Sequence, residues 1–322
     1  MAAYRNLNVP KAQPPPELMV FPYITQPVPE ELESMQICYI LFFLKMYKVL
    51  MKIHHFLCYK GLASPSDQTI DFQELLRVTK EEILKDPTGF MPQPDEFNGA
   101  ILSPADLDEA ISTRNDTDHC NLNNIQQYWP TRIKSYATLC DSVNSHETFT
   151  EINTVSNKIC AGNFSDIVQF AFSFSWSYSH SQGVGISLIM YGILLRYLAK
   201  VVRAFLIGKL GILDLTLDLH ANLKFIIDQI LKKPDYIDGG GWQRDDAGLF
   251  QKLFDTRLSY AHGWFQIAWN DWEVQLQSIV DALQLLKATT EAAQVKLIFD
   301  KLVRCKNEGL VVTSQEFNIM EF

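Results

Sequence analysis

His55 and Cys58 stand three residues apart in a helical stretch, a spacing that puts an imidazole and a thiol on one face where they could share a metal ion; His119-Cys120 supplies a second such pair. A structural zinc site needs four ligands, and the chain holds no CxxC and no HExxH, so we expect no metal and no cofactor. Asp245-Asp246, and Asn270-Asp271 with Glu273, have the residue types of a magnesium–diphosphate site. Their spacing is wrong for one, because Ala247, Gly248, Leu249 and Phe250 follow the first pair with no further carboxylate. Acids at helix starts, where the macrodipole favours negative charge, account for them better. No GxSxG elbow presents a serine nucleophile, and Gly239-Gly240-Gly241 leads into Trp242 without the Lys-Ser/Thr of a phosphate loop, so it reads as a turn. The inventory gives no catalytic residue, and we expect no enzyme.

Two groups could instead bind by surface. Arg196, Lys200 and Arg203, with Lys209, fall roughly on one side of a long apolar helix and could face phosphates; a solvated face, or pairing with Asp214 and Asp218, is the plainer alternative. Trp242, Trp264, Trp269 and Trp272 could stack on bases, but in an acidic chain they fit better as core or as subunit contact.

The elements that would position these residues are mostly helices. Residues 1 to 29 carry Pro10, Pro14, Pro15, Pro16, Pro22, Pro27 and Pro29, a density that forbids helix and favours an extended arm. The arm also carries Leu18, Met19, Val20, Phe21, Tyr23 and Ile24, an apolar cluster expected to lie on a surface, either its own or a neighbouring subunit's. A first helix runs from Glu30 to near Gly61. Its stretch Ile37 to Leu44 is apolar throughout, so it must be covered by its own core or by another subunit; Lys45, Lys48 and Lys52 then give it one wet stripe. Beyond Ser64-Pro65, a second helix shows Phe72, Leu75, Leu76, Ile83 and Leu84, and stops at Asp86-Pro87.

Residues 87 to 163 are rich in Pro, Asn, Asp, Thr and Ser, and only short helices are expected there, Pro104 to Ser112 and Thr131 to Val143, within a loop-rich insertion or projecting subdomain. The alternation from Phe170 to Ser179 predicts an extended strand, broken by Gly183 and Gly185 before a buried helix over Ile186 to Ile207. Further helices are predicted over Asp218 to Lys233, Asp271 to Lys287 and Thr290 to Lys306, with a stop at Gly309 and a short strand over Leu310 to Thr313. The class is mainly α, with residues 30–86 and 164–322 as the helical body.

Bulk properties set the limits. The chain has 322 residues, of which 47% are hydrophobic, enough to fill a sizeable core. A net charge of -9 argues against a protein that coats single-stranded nucleic acid, since that requires a cationic groove, but it leaves room for a shell that encloses nucleic acid without gripping it. The 6 cysteines are scattered and suit reduced thiols. The start has no continuous hydrophobic region of the secretory kind, so a cytosolic chain is expected, and the sequons at Asn115 and Asn163 are then unused. Two apolar stretches, Ile37 to Leu57 and Gly183 to Leu206, are each interrupted by basic residues and read as core helices rather than membrane spans.

The segment Tyr39-Ile-Leu-Phe-Phe-Leu-Lys-Met-Tyr-Lys-Val-Leu, continued through Gly61-Leu-Ala-Ser-Pro65 to Phe72-Gln-Glu-Leu-Leu76, resembles capsid proteins of partitivirus-like double-stranded RNA viruses. Those proteins carry a Tyr-rich apolar helix, a Gly and Ser-Pro turn, and then a helix with Phe and Leu anchors. The match spans about forty residues, and the short chain resembles the smaller, cryspovirus-like members. The family's proline-glycine-proline-leucine turn after the second helix is replaced by Pro87-Thr-Gly-Phe-Met-Pro92. The resemblance implies a helical shell domain with a protruding domain, assembled through homodimers into an icosahedral virion in the host cytoplasm. It implies weak non-specific contact with a double-stranded RNA genome, a viral polymerase inside the shell, and no membrane. Under it, Leu18, Met19, Phe21, Tyr23, Ile37, Tyr39, Phe42, Phe43, Trp242 and Trp264 are the subunit-interface candidates, and Arg196, Lys200 and Arg203 the genome-facing ones. The alternatives are a helical enzyme with a buried apolar pocket lined by Phe170 to Tyr178 and Trp264 to Trp272, and a nucleoprotein binding single-stranded RNA.

Overall fold

The computed structural model describes residues 29–64, 71–86, 90, 102–162, 172–176, 180–210, 218–232 and 243–317. These are mainly helical. Pro29 opens α1 (Pro29–Phe43), suited to a first turn by its fixed φ, and a π-helical turn (Leu44–Val49) joins α1 to α2 (Leu50–Tyr59) in one continuous rod. Gly61, at φ 73°, ends the rod in the left-handed conformation that glycine adopts without penalty. Next comes α3 (Phe72–Lys85), whose N-cap Asp71 accepts from the Gln73 amide at 2.9 Å. The helices α4 (Pro104–His119), α5 (Leu122–Ser142) and α6 (His146–Cys160) follow.

A second rod is built like the first: α7 (His180–Ile193), a π-helical turn (Leu194–Ala199) and α8 (Lys200–Leu210). Then come α9 (Leu219–Lys232), α10 (Asp246–Ala261), α11 (Phe265–Leu285) and α12 (Thr289–Glu308), the last closed by Gly309 at φ 65°. The two strands, β1 (Ser173–Phe174) and β2 (Val312–Thr313), pair antiparallel with Ser173 opposite Thr313.

The first rod is the axis of the packing. Its α1 lies against α4, α5 and α7; α4, α5 and α6 pack in sequence, as do α9, α10 and α11; α11 rests on α7 and pairs with α12. Ile37, Tyr39, Phe42 and Phe43 are all buried in this chain's own core. That corrects their reading as subunit-interface candidates, because no face of those side chains is left for a second copy to cover. The two long apolar helices, Leu32–Tyr59 and Gln182–Gly208, are 78% and 89% buried by the rest of the protein, as core helices are.

Three other expectations are corrected. Residues 102–162 are not a loop-rich, projecting insertion: they form α4 to α6, and α4 and α5 press on α1 while α4 also touches α9 and α10. Pro104 sits at the start of α4 behind a capping box of Ser103 and Asp106, whereas Pro130 lies inside α5. An interior proline costs about 3 kcal/mol, but α5 buries Ile125, Ile133, Tyr136 and Leu139, each worth roughly 1.5–3 kcal/mol, so burial wins. The strand expected over Phe170 to Ser179 shrinks, among described residues, to Ser173–Phe174. Gly183 and Gly185 break nothing; both lie within α7, where a Cβ on Gly183 would sit 2.6 Å from Phe265 Cβ and one on Gly185 would enter the Phe174 ring. They are contact glycines that let α7 and its neighbours approach closely. The arm residues Leu18, Met19, Phe21 and Tyr23 lie outside the described residues.

Candidate functional site

The lysine stripe of the first rod splits at its π-helical turn. One extra residue in a turn rotates the later side chains by about 100°, and here Lys45 goes inward while Lys48 bridges Glu151 at 2.8 Å near the surface and Lys52 is exposed. Lys45 is wholly buried and paired with the equally buried Asp118 of α4. Its Nζ also lies 3.4 Å from the Ala261 carbonyl and 4.6 Å above the Phe42 ring. Burial pulls the Lys45 ammonium down to about 8 despite Asp118, with the Arg114 and Arg257 charges adding to the fall.

Asp118 is the hub of a buried charge cluster. Arg114 Nε approaches Asp118 Oδ2 at 2.6 Å, yet the two atoms are not aligned as donor and acceptor, so this is an ion contact rather than a hydrogen bond. Arg257 of α10 donates through Nη2 to the Asp118 carbonyl and through Nη1 to His220 Nδ1 at 3.2 Å. Acceptance at Nδ1 fits a neutral His220, and burial, reinforced by the Arg257 and His119 charges, lowers the His220 imidazolium to about 4. His220 stacks on His119 with centroids 4.9 Å apart, and His119 Nδ1 lies 3.4 Å from Asp218, the residue whose carboxylate accepts from the Ala221 amide at the start of α9. On the other side, His262 Nδ1 meets Asp71 Oδ2 at 2.8 Å. Arg114 Nη2 is 3.4 Å from the same nitrogen, and the shorter contact assigns the imidazole N–H to a bond donated to Asp71.

Two further polar groups bind α4 to its neighbours. Arg132 of α5 grips Glu109 at 2.5 Å and Asp116 at 2.6 Å, and Asn124 donates to Asp116 at 2.8 Å. Tyr191 of α7 donates to the Thr117 carbonyl at 2.6 Å, meets Cys38 Sγ at 3.1 Å and Cys120 Sγ at 3.7 Å, and stacks on Phe42 with centroids 3.7 Å apart. Burial pushes the Cys38 thiol and the Tyr191 phenol well above their ordinary values, so both stay protonated. The cluster keeps Lys45 and Asp118 at its centre out of reach of solvent, while His119, Asp218 and His262 at its edges are partly exposed. What it does chemically is fix the mutual register of α1, α4, α7 and α10.

The remaining sequence candidates separate. Cys58 lies beside His54, with Sγ 3.6 Å from Nε2, while His55 is exposed; among the described residues no His, Cys, Asp and Glu group of metal-binding size occurs. His119 and Cys120 turn to different partners, Asp218 and Tyr191. Asp246 accepts from the Gln243 amide at 2.7 Å at the start of α10, the helix-start role expected of it, and Glu273 pairs with Lys306. Trp272 is buried, with Trp176 5.7 Å from it; Trp176 and Trp269 sit 5.6 Å apart and both meet the Phe174 ring; Trp264 is half-buried and stacks on His262; Trp242 lies outside the described residues.

Arg196 and Lys200 are half-buried and line a pocket together with Leu32, Met35, Tyr197, Thr290, Glu291 and Gln294; Arg203 is half-buried on α8 and is not among its described lining residues. Sequence reasoning misses this pocket. The sequence picks out Arg196 and Lys200 but not the Glu291 that joins them, because it comes from the first turn of α12, far along the chain. No family model, curated protein or solved structure matches this chain.

Proposed function

We propose that this protein is a structural shell subunit, a capsid protein of the partitivirus-like kind, which assembles through dimers around a double-stranded RNA genome. The observation that carries the reading is the local structure of the resembling segment. Tyr39 to Leu76 consists of a long apolar helix ending at a left-handed Gly61, followed by a helix with Phe72, Leu75 and Leu76 buried, which is the arrangement the resemblance leads one to expect.

Two features support it further. A shell subunit must keep its shape while several neighbours press on it, and the charge cluster around Asp118 fixes four helices with polar contacts whose directional geometry resists sliding. Exposed apolar side chains on separate elements, Tyr59, Leu84, Val274 and Leu297, give neighbouring subunits footholds on more than one side. In the proposal the net charge of -9 keeps duplex RNA in weak contact, the polymerase rides inside the shell, and the virion forms in the host cytoplasm.

The test is the native mass by size exclusion with light scattering, together with negative-stain microscopy of the purified chain. Closed particles of uniform diameter are expected. A monomer or simple dimer at high concentration would remove the capsid reading and leave the helical enzyme; strings of protein along single-stranded RNA, with affinity falling steeply in salt, would mark the nucleoprotein instead.

A further inference from the structure

The pocket beside the second π-helical turn brings together groups of opposite charge. Arg196 lies within that turn and Lys200 just after it, and both line the pocket. Glu291 lines the same pocket from the first turn of α12 and is only 7% exposed. One of its carboxylate oxygens, Oε2, is shut off from water and has no hydrogen-bond partner. With one oxygen accepting no bond, the carboxylate is incompletely compensated within the protein, and a cation beside the part of Glu291 that lines the pocket would offset that cost. π-helical turns are themselves rare, and concentrate at functional sites because they re-aim side chains.

From these observations we propose that this pocket binds a small zwitterion bearing an ammonium and a carboxylate, with the ammonium at Glu291 and the carboxylate at Arg196 and Lys200. Thr290 and Gln294 offer further polar contacts, and Leu32, Met35 and Tyr197 supply apolar walls for the carbon skeleton. Size and stacking argue for this class over nucleotides. The cavity measures about 230 Å³, below the range of roughly 300–1,000 Å³ typical of pockets for larger ligands. Among the described lining residues the Tyr197 ring is the one aromatic surface, and it already carries the Arg196 guanidinium 5.2 Å from its centre, which leaves a base little there to stack on. The proposal is independent of the capsid reading, since it concerns one subunit and needs no assembly.

The experiment is isothermal titration calorimetry on the full-length protein with a graded series of zwitterions: glycine, L-alanine, β-alanine, 4-aminobutyrate and 6-aminohexanoate. At least one member is expected to bind saturably with a Kd of about 1 mM or tighter, with the optimum chain length reporting the span between the charged groups. Glu291→Gln should weaken that ligand by about tenfold or more, and so should Lys200→Met, which alters only a half-buried side chain. Butylamine and butyrate, each carrying a single charge, should bind more weakly than 4-aminobutyrate. The proposal is overturned if no zwitterion saturates, if the single-charge analogues bind equally well, if either variant keeps wild-type affinity, or if guanosine monophosphate or inorganic phosphate binds in preference.

Discussion

Lys45 and Asp118, 73 positions apart in sequence, form an ion pair in which neither side chain touches water. Asp118 faces Arg114 as well as Lys45, and Arg257 donates to its backbone carbonyl, so the cluster holds more cations than anions. The two partners are therefore unequal. Asp118→Asn leaves buried cations without their counter-ion and should cost about 3–5 kcal/mol, whereas Lys45→Met leaves Asp118 still facing Arg114 and should cost distinctly less. Urea denaturation of both variants checks the order, and a larger loss for Lys45→Met would show that Lys45 is the hub.

The same pair predicts an alkaline effect. Lys45 is held at about 8 in the folded protein against about 10.4 in the unfolded chain, so between those values the unfolded chain binds the extra proton. Stability through this group therefore rises as pH climbs from about 8 to about 10.4. The buried Cys140 thiol, pushed up to about 12, works the other way from about pH 9, because it ionises first in the unfolded chain. Comparing wild type with Lys45→Met cancels the thiol, and the stability difference should shift toward wild type across that window. A difference that stays flat would mean the ammonium is not desolvated.

Asp71 gives an acid-side counterpart. Burial tends to raise its pKa, but the His262 hydrogen bond, the His262 charge and the Gln73 amide outweigh burial and hold the carboxyl below its ordinary value. A carboxyl held low stabilises above the unfolded value and loses that contribution as pH falls through the folded one. Asp71→Asn keeps the cap, since asparagine caps helices as well as aspartate, and removes the charge together with the second acceptor oxygen that meets His262. Acid unfolding followed by circular dichroism should show a shallower loss of stability below about pH 4 for the variant than for wild type.

Much of the helical scaffold was legible, and the reason for the rest lies in α4. The rod from Pro29 to Tyr59, α3, α9 and the α11–α12 hairpin carry apolar residues at helical spacing and clear stops such as Gly61 and Gly309, so periodicity finds them. The buried face of α4 includes Thr113, Arg114, Asp116, Thr117 and Asp118, a polar set that looks like solvent-facing sequence until its partners on other elements are known. Thr113 and Thr117 satisfy their hydroxyls on the carbonyls one turn back, and the charged residues find Arg132, Lys45 and each other. The partnerships that reach other helices have no local signature. The π-helical turn hid Lys45 in the same way, because a regular 3.6-residue period keeps it in line with Lys48 and Lys52.

Gly183 offers a test of packing without charge. A Cβ there would lie 2.6 Å from Phe265 Cβ and 2.9 Å from the Phe265 carbonyl oxygen, and the second contact is backbone that cannot rotate aside. Gly183→Ala should therefore cost about 1–3 kcal/mol, against the fraction gained when alanine replaces glycine in an open helix. At Gly185 the obstacle is the Phe174 ring, held between α7 and the indole of Trp269, and its side chain has more freedom to shift. The expected order in thermal melts is a greater loss for Gly183→Ala than for Gly185→Ala, and the reverse order would place the tighter contact at β1.

The arm carries the sharpest test of assembly as distinct from folding. Ile37, Tyr39, Phe42 and Phe43 are buried, and α1, which carries them, packs against α4, α5 and α7. Deleting residues 1 to 29 should then leave helical content and the urea midpoint close to wild type. If Leu18, Met19, Phe21 and Tyr23 dock on a neighbouring subunit, as the shell reading requires, the same deletion abolishes particles in negative stain. A truncated chain that is folded and still assembles fully removes the arm from the interface, and a truncated chain that fails to fold assigns those four residues to this subunit's own packing instead.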